Sequence, residues 1–256
     1  MDLTENPNLE ESEIPHPWEY SRFIFIKNIL APFIKKKENF ILDIGSGDGF
    51  ILSKLKNKNN KINFIAVDKY YELNQIEKLK KSLKTEHIYK NIESIDIGQN
   101  KISIVLLLDV LEHIEDPKKA LDDLMKNSFF DKKCMFIITV PAFQFLYTAH
   151  DKNLGHFKRY DLSSIEKLIK SCGFNVFDKG YFFHSILIIR VLEKLFEVLF
   201  NYDNSNKVSK EFNNKFIKNF FTKIMILENY IFNKIKNLTG LKMPGLSSYI
   251  VCQKQQ

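Results

Sequence analysis

The chain has 256 residues, of which 45% are hydrophobic, 13% aromatic and 27% charged, a composition that excludes a mostly disordered protein and allows one globular domain with a sizeable core. The 38 basic residues outnumber the 31 acidic ones, giving a net charge of +7. The lysines are spread along the chain rather than collected in one basic block, which disfavours a nucleic-acid partner.

The cysteines and the N-terminus bear on the cellular compartment. Cys134, Cys172 and Cys252 are far apart and form no CxxC pair, which argues against a disulfide framework or a zinc site. The first 15 residues are acidic and polar, unlike a signal peptide. We therefore expect a cytoplasmic protein.

Helices and strands are predicted to alternate along most of the chain. The predicted helices are Trp18–Lys35, Phe50–Lys56, Tyr71–Leu83, Pro117–Lys126 and Leu162–Cys172. The predicted strands are Phe40–Ile44, Ile62–Asp68, His87–Lys90, Ile102–Leu108, Met135–Val140, Asn175–Phe183 and Ser248–Gln253. This alternation predicts an α/β fold with a doubly wound, mostly parallel sheet.

Three alternating glycines follow the first predicted strand, in the segment Asp43-Ile44-Gly45-Ser46-Gly47-Asp48-Gly49. Glycines allow a sharp turn and a close approach of the backbone to a ligand. The dinucleotide pattern GxGxxG would require a third glycine at position 50, which is Phe50. Asp43 would repel a pyrophosphate but suits an ammonium group, and Asp68 can accept hydrogen bonds from both hydroxyls of a ribose. The segment therefore favours a cationic nucleoside that carries an amino acid.

This combination resembles the class I S-adenosylmethionine (SAM) dependent methyltransferases over Pro15–Lys254. The shared features are the Asp-x-Gly-x-Gly-x-Gly loop, the acid that ends the second strand, the Leu-Asp-Val-Leu-Glu-His-Ile segment after the fourth, and the closing strands. The resemblance implies a Rossmann-like sheet of seven strands with the last one antiparallel, SAM as the cofactor and methyl transfer as the reaction. A Rossmann-like domain that binds nothing is the alternative.

The resemblance also implies a set of cofactor-binding residues. Asp43 and the glycine loop would hold the methionine moiety, Asp68 the ribose, and Lys69 would flank the adenine. The position near the adenine amino group is open between Asn91 and Glu93. The full expected set is Trp18, Arg22, Asp43, Gly45, Ser46, Gly47, Gly49, Asp68, Lys69, Asn91, Leu108 and Asp109.

The first helix carries a His-x-Trp-x-x-x-Arg pattern formed by His16, Trp18 and Arg22. This pattern resembles one bacterial branch of the family, in which the helix caps the cofactor pocket. The alternative is that Trp18 only anchors the core and that Arg22 is a surface charge.

A long loop, Pro141–Tyr160, follows the fifth predicted strand, and ligands of open α/β sheets bind outside the carboxyl ends of the strands. Its His-Asp-x-x-x-Gly-His-x-x-Arg-Tyr pattern resembles the same bacterial branch, which is often linked to glycan, lipid or small-metabolite modification. His150 and His156 are candidate catalytic bases for a hydroxyl acceptor. Arg159 is a candidate ligand for an acidic group of the acceptor.

These three loop residues also have structural interpretations. The histidines would then cap turns or pair with Asp151, and Arg159 would brace Asp151 or Asp161.

Asp109, Glu112 and His113 are spaced so that a helical turn would place them on one face. Quinone O-methyltransferases carry a similar Glu-x-x-Glu-His segment, whose acids and histidine can hold a divalent cation. We favour the structural alternative, in which Glu112 caps a helix, His113 packs beneath the cofactor and no metal is bound.

Four regions are expected: a tail with a cofactor-capping helix (1–36), the SAM-binding core (37–183), a helical insertion (184–245), and a closing strand with a tail (246–256).

The insertion has an apolar helix face and a lysine face opposite it. The apolar face is Ile217, Phe220, Phe221, Ile224, Leu227, Ile231 and Ile235, and the lysines are Lys215, Lys218, Lys223, Lys234 and Lys236. The insertion is interpreted as a packing or dimer element, an acceptor lid, or a surface for peripheral membrane contact. Glu228 falls inside the apolar face and needs a partner or the acceptor cavity.

We expect a SAM-dependent methyltransferase acting on a small molecule, sugar or glycoconjugate, on oxygen rather than nitrogen. The Asn/Asp-Pro-Pro-aromatic motif of nucleobase amino-methyltransferases does not follow the fourth strand, which again disfavours nucleic acid. The alternatives are a quinone or lipid O-methyltransferase at the membrane surface and a non-catalytic SAM-binding subunit. Both a monomer and a homodimer are compatible with the sequence.

Overall fold

The computed structural model describes residues 16–34, 40–58, 62–200 and 215–255, so the expected tail at residues 1–15 lies outside the described part. The strands are β1 (Phe40–Ile44), β2 (Asn63–Val67), β3 (Ile88–Tyr89), β4 (Ile102–Leu108), β5 (Phe130–Pro141), β6 (Phe174–Phe182) and β7 (Ser247–Lys254). The α-helices are α1 (Pro17–Leu30), α2 (Phe50–Lys58), α3 (Leu73–Leu83), α4 (Pro117–Leu124), α5 (Ala149–Asn153), α6 (Leu162–Ser171), α7 (His184–Phe200) and α8 (Lys215–Thr239). Short 3₁₀ turns occupy Ile92–Ser94, Leu111–His113 and Gln144–Leu146.

The seven strands form one sheet in the order β3-β2-β1-β4-β5-β7-β6. β7 runs antiparallel to both β5 and β6, and the other neighbouring strands are parallel. This confirms the predicted Rossmann-like α/β fold with an antiparallel last strand. Because β1, β2, β4 and β5 are parallel, the loops that follow them lie along one edge of the sheet.

The sheet is buried on both faces, and β4 shows how its residues are divided. Ile104, Leu106 and Leu108 belong to the apolar cluster that includes α1, whereas Val105 and Leu107 belong to the cluster that includes α4 and α6. Alternate side chains of a strand point to opposite faces, so a strand covered on both sides is apolar throughout. The uninterrupted apolar run of β4 follows from this arrangement.

Several predicted boundaries differ from the observed ones. α1 ends at Leu30 rather than Lys35, because Pro32 has no N–H and cannot continue the helical hydrogen bonds. β5 begins at Phe130, which pairs with Ile102, although the charged residues 131–133 that follow are exposed and hide the strand pattern. The loop after β5 is not wholly irregular, since it contains a 3₁₀ turn and α5.

The insertion forms α7 and α8, and α8 packs against α1. The side chain of Asn229 on α8 is buried against α1. Its Nδ2 donates to Ser21 Oγ at 3.4 Å, and its Oδ1 accepts from the backbone N–H of Phe183 at 2.9 Å. Glu228 has a partner, as expected, because its Oε2 accepts from the backbone N–H of Ser185 at 3.0 Å. That contact satisfies a free N–H group in the first turn of α7.

α8 packs on the domain with a different side from the predicted apolar face. The predicted apolar face does not pack on the domain, since Phe220 and Leu227 are exposed, while Met225 on the other side is buried. The lysines are not all opposite that face, and Lys236 lies on the packing side, where its Nζ is 2.6 Å from Asp178 Oδ1. None of the helices in the described ranges has both the length and the hydropathy needed to cross a bilayer.

Candidate active site

The glycine loop between β1 and α2 lies at the carboxyl edge of the sheet. Gly45, Gly47 and Gly49 have φ values of 71°, 55° and 70°, in the left-handed region that side chains rarely adopt. A Cβ atom on Gly45 would lie 2.7 Å from Val110 Cγ2, and one on Gly49 would clash with Leu79. Both backbone conformation and space therefore require glycine at these two positions.

Asp68 holds this loop in place. Its Oδ2 accepts from the backbone N–H of Gly47 at 3.0 Å, and its Oδ1 accepts from that of Tyr70 at 2.9 Å. Ser46 Oγ lies 2.6 Å from the Tyr71 hydroxyl, a contact that the sequence analysis missed. Each carboxylate oxygen has two lone pairs, so Asp68 can still accept hydrogen bonds from a ligand.

Asp43, at the end of β1, is a buried carboxylate with spare acceptor capacity. It is 3% exposed, and its Oδ1 has no hydrogen-bond partner within the described residues. Burial raises the pKa of Asp43 to about 7, although the nearby Arg22 guanidinium opposes the rise. A buried carboxylate of this kind fits a cationic ligand group, because such a group would supply the missing charge and hydrogen bond.

Arg22 links the first helix to the ends of β4 and β5. Its Nη2 lies 2.9 Å from Asp109 Oδ2 and 3.3 Å from Thr139 Oγ1, and Thr139 donates to Asp109 Oδ1 at 2.8 Å. Arg22 is 8% exposed, so the alternative of a surface charge is wrong. Thr139 was not identified from the sequence, because a threonine near the end of an apolar strand carries no distinctive motif.

The remaining residues of the expected cofactor set have different surroundings. Trp18 is partly buried and its ring lies 4.0 Å from that of Phe183, a packing contact. Lys69 is exposed beside Asp68, with its ammonium 4.7 Å from the Tyr70 ring. Asn91 is exposed and its Oδ1 accepts from the backbone N–H of Ser94, which caps a 3₁₀ turn. The alternative Glu93 is also exposed, and Leu108 is buried at the end of β4. Their roles in cofactor binding stay predictions.

Asp151 is the centre of the loop after β5. Its carboxylate is fully buried and accepts from His156 Nδ1 at 2.9 Å, Arg159 Nε at 2.8 Å and the backbone N–H of Thr148 at 2.9 Å. Burial alone would raise the pKa of Asp151, but the hydrogen bonds from His156 and Arg159 and the Arg159 charge hold it well below its usual range. The carboxylate is therefore ionised at neutral pH.

These contacts distinguish the three candidate residues of the loop. Arg159 braces Asp151, which was its structural alternative, and its Nη1 also reaches the carbonyl oxygen of Ala142 at 3.4 Å. His156 keeps only Nε2 for other partners, because Asp151 engages Nδ1. His150 lies in the first turn of α5, half-buried, and its ring makes no hydrogen bond to another described residue.

A second buried carboxylate lies next to His156. Glu112 is 1% exposed, and neither carboxylate oxygen has a hydrogen-bond partner within the described part of the chain. Burial, reinforced by the charge of Asp109, raises the pKa of Glu112 well above its usual value. The His113 and His156 rings are 4.6 Å apart, and one ligand atom from each of the two histidines and Glu112 lies within 4.8 Å of the others.

The group of three residues expected from the sequence, Asp109, Glu112 and His113, therefore differs from the observed group by one residue. Asp109 does not join Glu112 and His113 on one helical face, because it precedes the 3₁₀ turn with a φ of 57° and its carboxylate is bound by Arg22 and Thr139. His156 takes its place, 44 positions after Glu112 in the chain. A metal ion, if one were bound, would be held by Glu112, His113 and His156.

A family model described as a methyltransferase domain matches residues 19–179, more than half of the chain. The chain belongs to this family. The match includes the glycine loop, Arg22 with its partners Asp109 and Thr139, and the loop around Asp151. The expected enzyme class, a methyltransferase, is thereby confirmed, while the more specific bacterial branch stays a prediction.

Solved structures with the same fold are distant in sequence. A SAM-dependent methyltransferase from Archaeoglobus fulgidus is 17% identical, with a TM-score of 0.50 and coverage of 91% of this chain and 94% of the other. The plantazolicin methyltransferase BpumL, solved with SAH, is 13% identical, with a TM-score of 0.51 and coverage of 94% and 85%. The [4+2]-cyclase SpnF is 10% identical, with a TM-score of 0.52 and coverage of 90% and 81%. At these identities the similarity establishes the fold alone. No curated protein matches the sequence.

Proposed function

We propose that this methyltransferase transfers the methyl group of SAM to a hydroxyl oxygen of a small-molecule, sugar or glycoconjugate acceptor. The observation that carries the proposal is the buried carboxylate of Asp43, whose Oδ1 has no partner among the residues that the structure describes and which lies next to a glycine loop that Asp68 holds in shape. A ligand with an ammonium group and a ribose matches these two acids. When bound, SAM supplies a methyl group already activated by its sulfonium.

Asp43 and Asp68 have separate tasks in this proposal. Asp43 binds the ammonium of the methionine moiety, which favours the ionised carboxylate over the protonated one. Asp68 accepts hydrogen bonds from the ribose hydroxyls while it fixes the glycine loop. The side chain of Arg22, whose charge also acts on Asp43, holds Asp109 in place.

His156 is the better candidate for the base at the acceptor end. Asp151 fixes the orientation of its ring by accepting a hydrogen bond from Nδ1, as a carboxylate partner does for a histidine base. Nε2 of His156 would accept the proton of the acceptor hydroxyl, and the methyl group would pass from the sulfur of SAM to the acceptor oxygen, leaving S-adenosylhomocysteine. His150 is the second candidate. Arg159 contributes by keeping Asp151 ionised rather than by binding the acceptor.

SAM binding tests the cofactor half of the proposal. Titration calorimetry should show that Asp68→Ala weakens SAM and S-adenosylhomocysteine binding by about tenfold or more, since a lost hydrogen bond to a charged group costs about 1.5–3 kcal/mol. Asp122→Asn, which changes a partly exposed acid of α4 paired with Lys118, is the matched control and should leave affinity unchanged. Affinity within twofold of wild type for Asp68→Ala would remove Asp68 from the proposal.

Turnover distinguishes an enzyme from the alternative, a SAM-binding subunit without chemistry. Methyl-labelled SAM should be consumed in the presence of hydroxyl acceptors such as sugars, phenols and lipid-linked glycans, with label recovered in an ether product. Tight SAM binding without label transfer to any acceptor of a broad panel would favour the non-catalytic interpretation.

A further inference from the structure

The exposed apolar side chains of the protein are concentrated in one region. Of the 22 large hydrophobic residues that are exposed in the described chain, 17 lie between Ile188 and Met243, on α7, α8 and the connection to β7. Large exposed apolar patches are uncommon on monomeric soluble proteins and mark interaction sites.

These residues form stripes along both helices. On α7 the exposed residues Ile188, Leu192, Leu195 and Leu199 are spaced by three or four positions, which places them on one side. On α8 the same spacing relates Phe220, Ile224, Leu227 and Ile231. Each helix therefore presents a continuous apolar side to the surroundings.

The packing of α8 does not account for its outward stripe. Met225 and Asn229 are the buried residues of this helix, and they lie on the side opposite Phe220 and Leu227. The helix would pack on α1 equally well with polar residues outward, so its apolar side serves another purpose.

The charge of the region indicates the partner. Residues 184–245 carry ten basic and five acidic side chains, so this quarter of the chain holds five of the seven net positive charges. Lys223 and Lys234 are exposed and lie beside the α8 stripe on the helical wheel. A second copy would bring an equal positive charge against this surface, which opposes self-association, whereas an anionic surface complements it.

We propose that α7 and α8 dock the protein on an anionic lipid bilayer, with their apolar stripes in the interface and Lys223 and Lys234 near the lipid phosphates. α7 also contacts the Gln144–Leu146 turn of the loop after β5. Phe145 in that turn and Phe157 later in the loop are 61% and 55% exposed. Docking would therefore bring the loop that contains Asp151 close to the lipid surface. The proposal does not depend on methyl transfer.

Co-sedimentation with vesicles tests the docking. The full chain should bind vesicles of phosphatidylcholine with about one-third phosphatidylglycerol, bind pure phosphatidylcholine at least tenfold more weakly, and lose affinity at high salt. Absence of binding to the anionic vesicles, or equal binding to both kinds, would overturn the proposal.

Two surface variants locate the site. Lys223→Glu/Lys234→Glu and Leu195→Ser/Phe220→Ser/Leu227→Ser should each reduce binding at least tenfold. Their matched controls are Lys78→Glu/Lys81→Glu on α3 and Leu73→Ser/Phe177→Ser, all exposed and outside the insertion, and these should bind as wild type. SAM affinity and melting temperature establish that each variant is folded. If a variant did not fold, the salt and lipid dependence of the wild type would still decide.

A separate measurement distinguishes a second copy of the chain from a bilayer as the partner of this surface. Sedimentation velocity of the wild type without lipid should show a monomer. A stable dimer that the Leu195→Ser/Phe220→Ser/Leu227→Ser variant dissociates would mean that the apolar side is an interface between chains, and would overturn docking on lipid.

Discussion

The Nδ1 atom of His156 lies 2.9 Å from Oδ1 of Asp151, and the same carboxylate is held from a second direction by Arg159. The arrangement selects the tautomer of His156 that carries its proton on Nδ1 and leaves Nε2 unprotonated when the ring is neutral. A neutral ring of this kind accepts a proton from a donor on the side away from Asp151. The geometry therefore favours His156 over His150 as the base.

His156→Ala should lower turnover by about 10²-fold or more and leave SAM affinity within twofold of wild type. The reason is that the variant removes the proton acceptor without altering the glycine loop. His150→Ala is the comparison and should lower turnover less. Single-turnover kinetics with labelled SAM measure both. An opposite order, with His150→Ala the more damaging variant, would transfer the role of the base to His150.

Asp43 should make SAM binding depend on pH. With a pKa of about 7 in the free protein, the carboxylate is mostly protonated at pH 6 and mostly ionised at pH 8. Because an ammonium ligand prefers the ionised form, affinity should rise by about tenfold across this interval. Calorimetry in buffers of different ionisation enthalpy should show that binding releases a proton near pH 6.

The Asp43→Asn variant is the control for this pH dependence. It should bind SAM more weakly than wild type at pH 8, and its affinity should be nearly constant between pH 6 and 8. If the variant kept the tenfold rise, another group would be responsible, and the assignment of Asp43 to the ammonium would be wrong.

Much of the fold could be predicted because its signals are local. The apolar run of β4 results from burial on both faces of the sheet, and the alternating glycines result from left-handed backbone that only glycine adopts easily. The acid at each strand end, Asp43 and Asp68, could be placed at one edge because parallel strands end together.

The unpredicted parts depend on contacts between distant segments. Glu112 and His156 are 44 positions apart, and Arg22 reaches Asp109 and Thr139 across more than 80 positions, so no spacing rule relates them. The sequence also could not predict whether the apolar face of α8 points towards the protein or away from it. Periodicity identifies an apolar side of a helix, but whether that side faces the protein or its surroundings depends on the partner, here α1.

Asn229→Ala should lower the free energy of unfolding by about 1–3 kcal/mol, because it leaves the buried N–H of Phe183 without its acceptor and removes the contact with Ser21. Urea unfolding followed by circular dichroism measures the change. Asn237→Ala, an exposed asparagine near the end of the same helix, is the matched control and should be close to neutral. Equal stabilities for the two variants would mean that α8 contributes little to the folded domain.

Glu112 provides the last prediction, which concerns both stability and metal. Its pKa in the folded protein is raised above the ordinary value of 4.5, mainly by burial, so the folded state favours the protonated acid. The stability that depends on this proton is fully present below about pH 4.5 and decreases as the pH rises toward the folded pKa. Glu112→Gln keeps the shape without the charge, so its free energy of unfolding relative to wild type should increase between pH 5 and pH 8.

The same comparison tests whether a cation neutralises Glu112 instead of a proton. Without a cation, dialysis against EDTA should leave turnover and the melting temperature of the wild type unchanged, and Glu112→Gln should fold normally. With a cation on Glu112, His113 and His156, EDTA would lower the melting temperature, and wild type would become more stable than Glu112→Gln as the pH rises, because the metal binds the ionised carboxylate. We expect the first result, because burial of Glu112 raises its pKa and so opposes the ionised carboxylate that a cation requires.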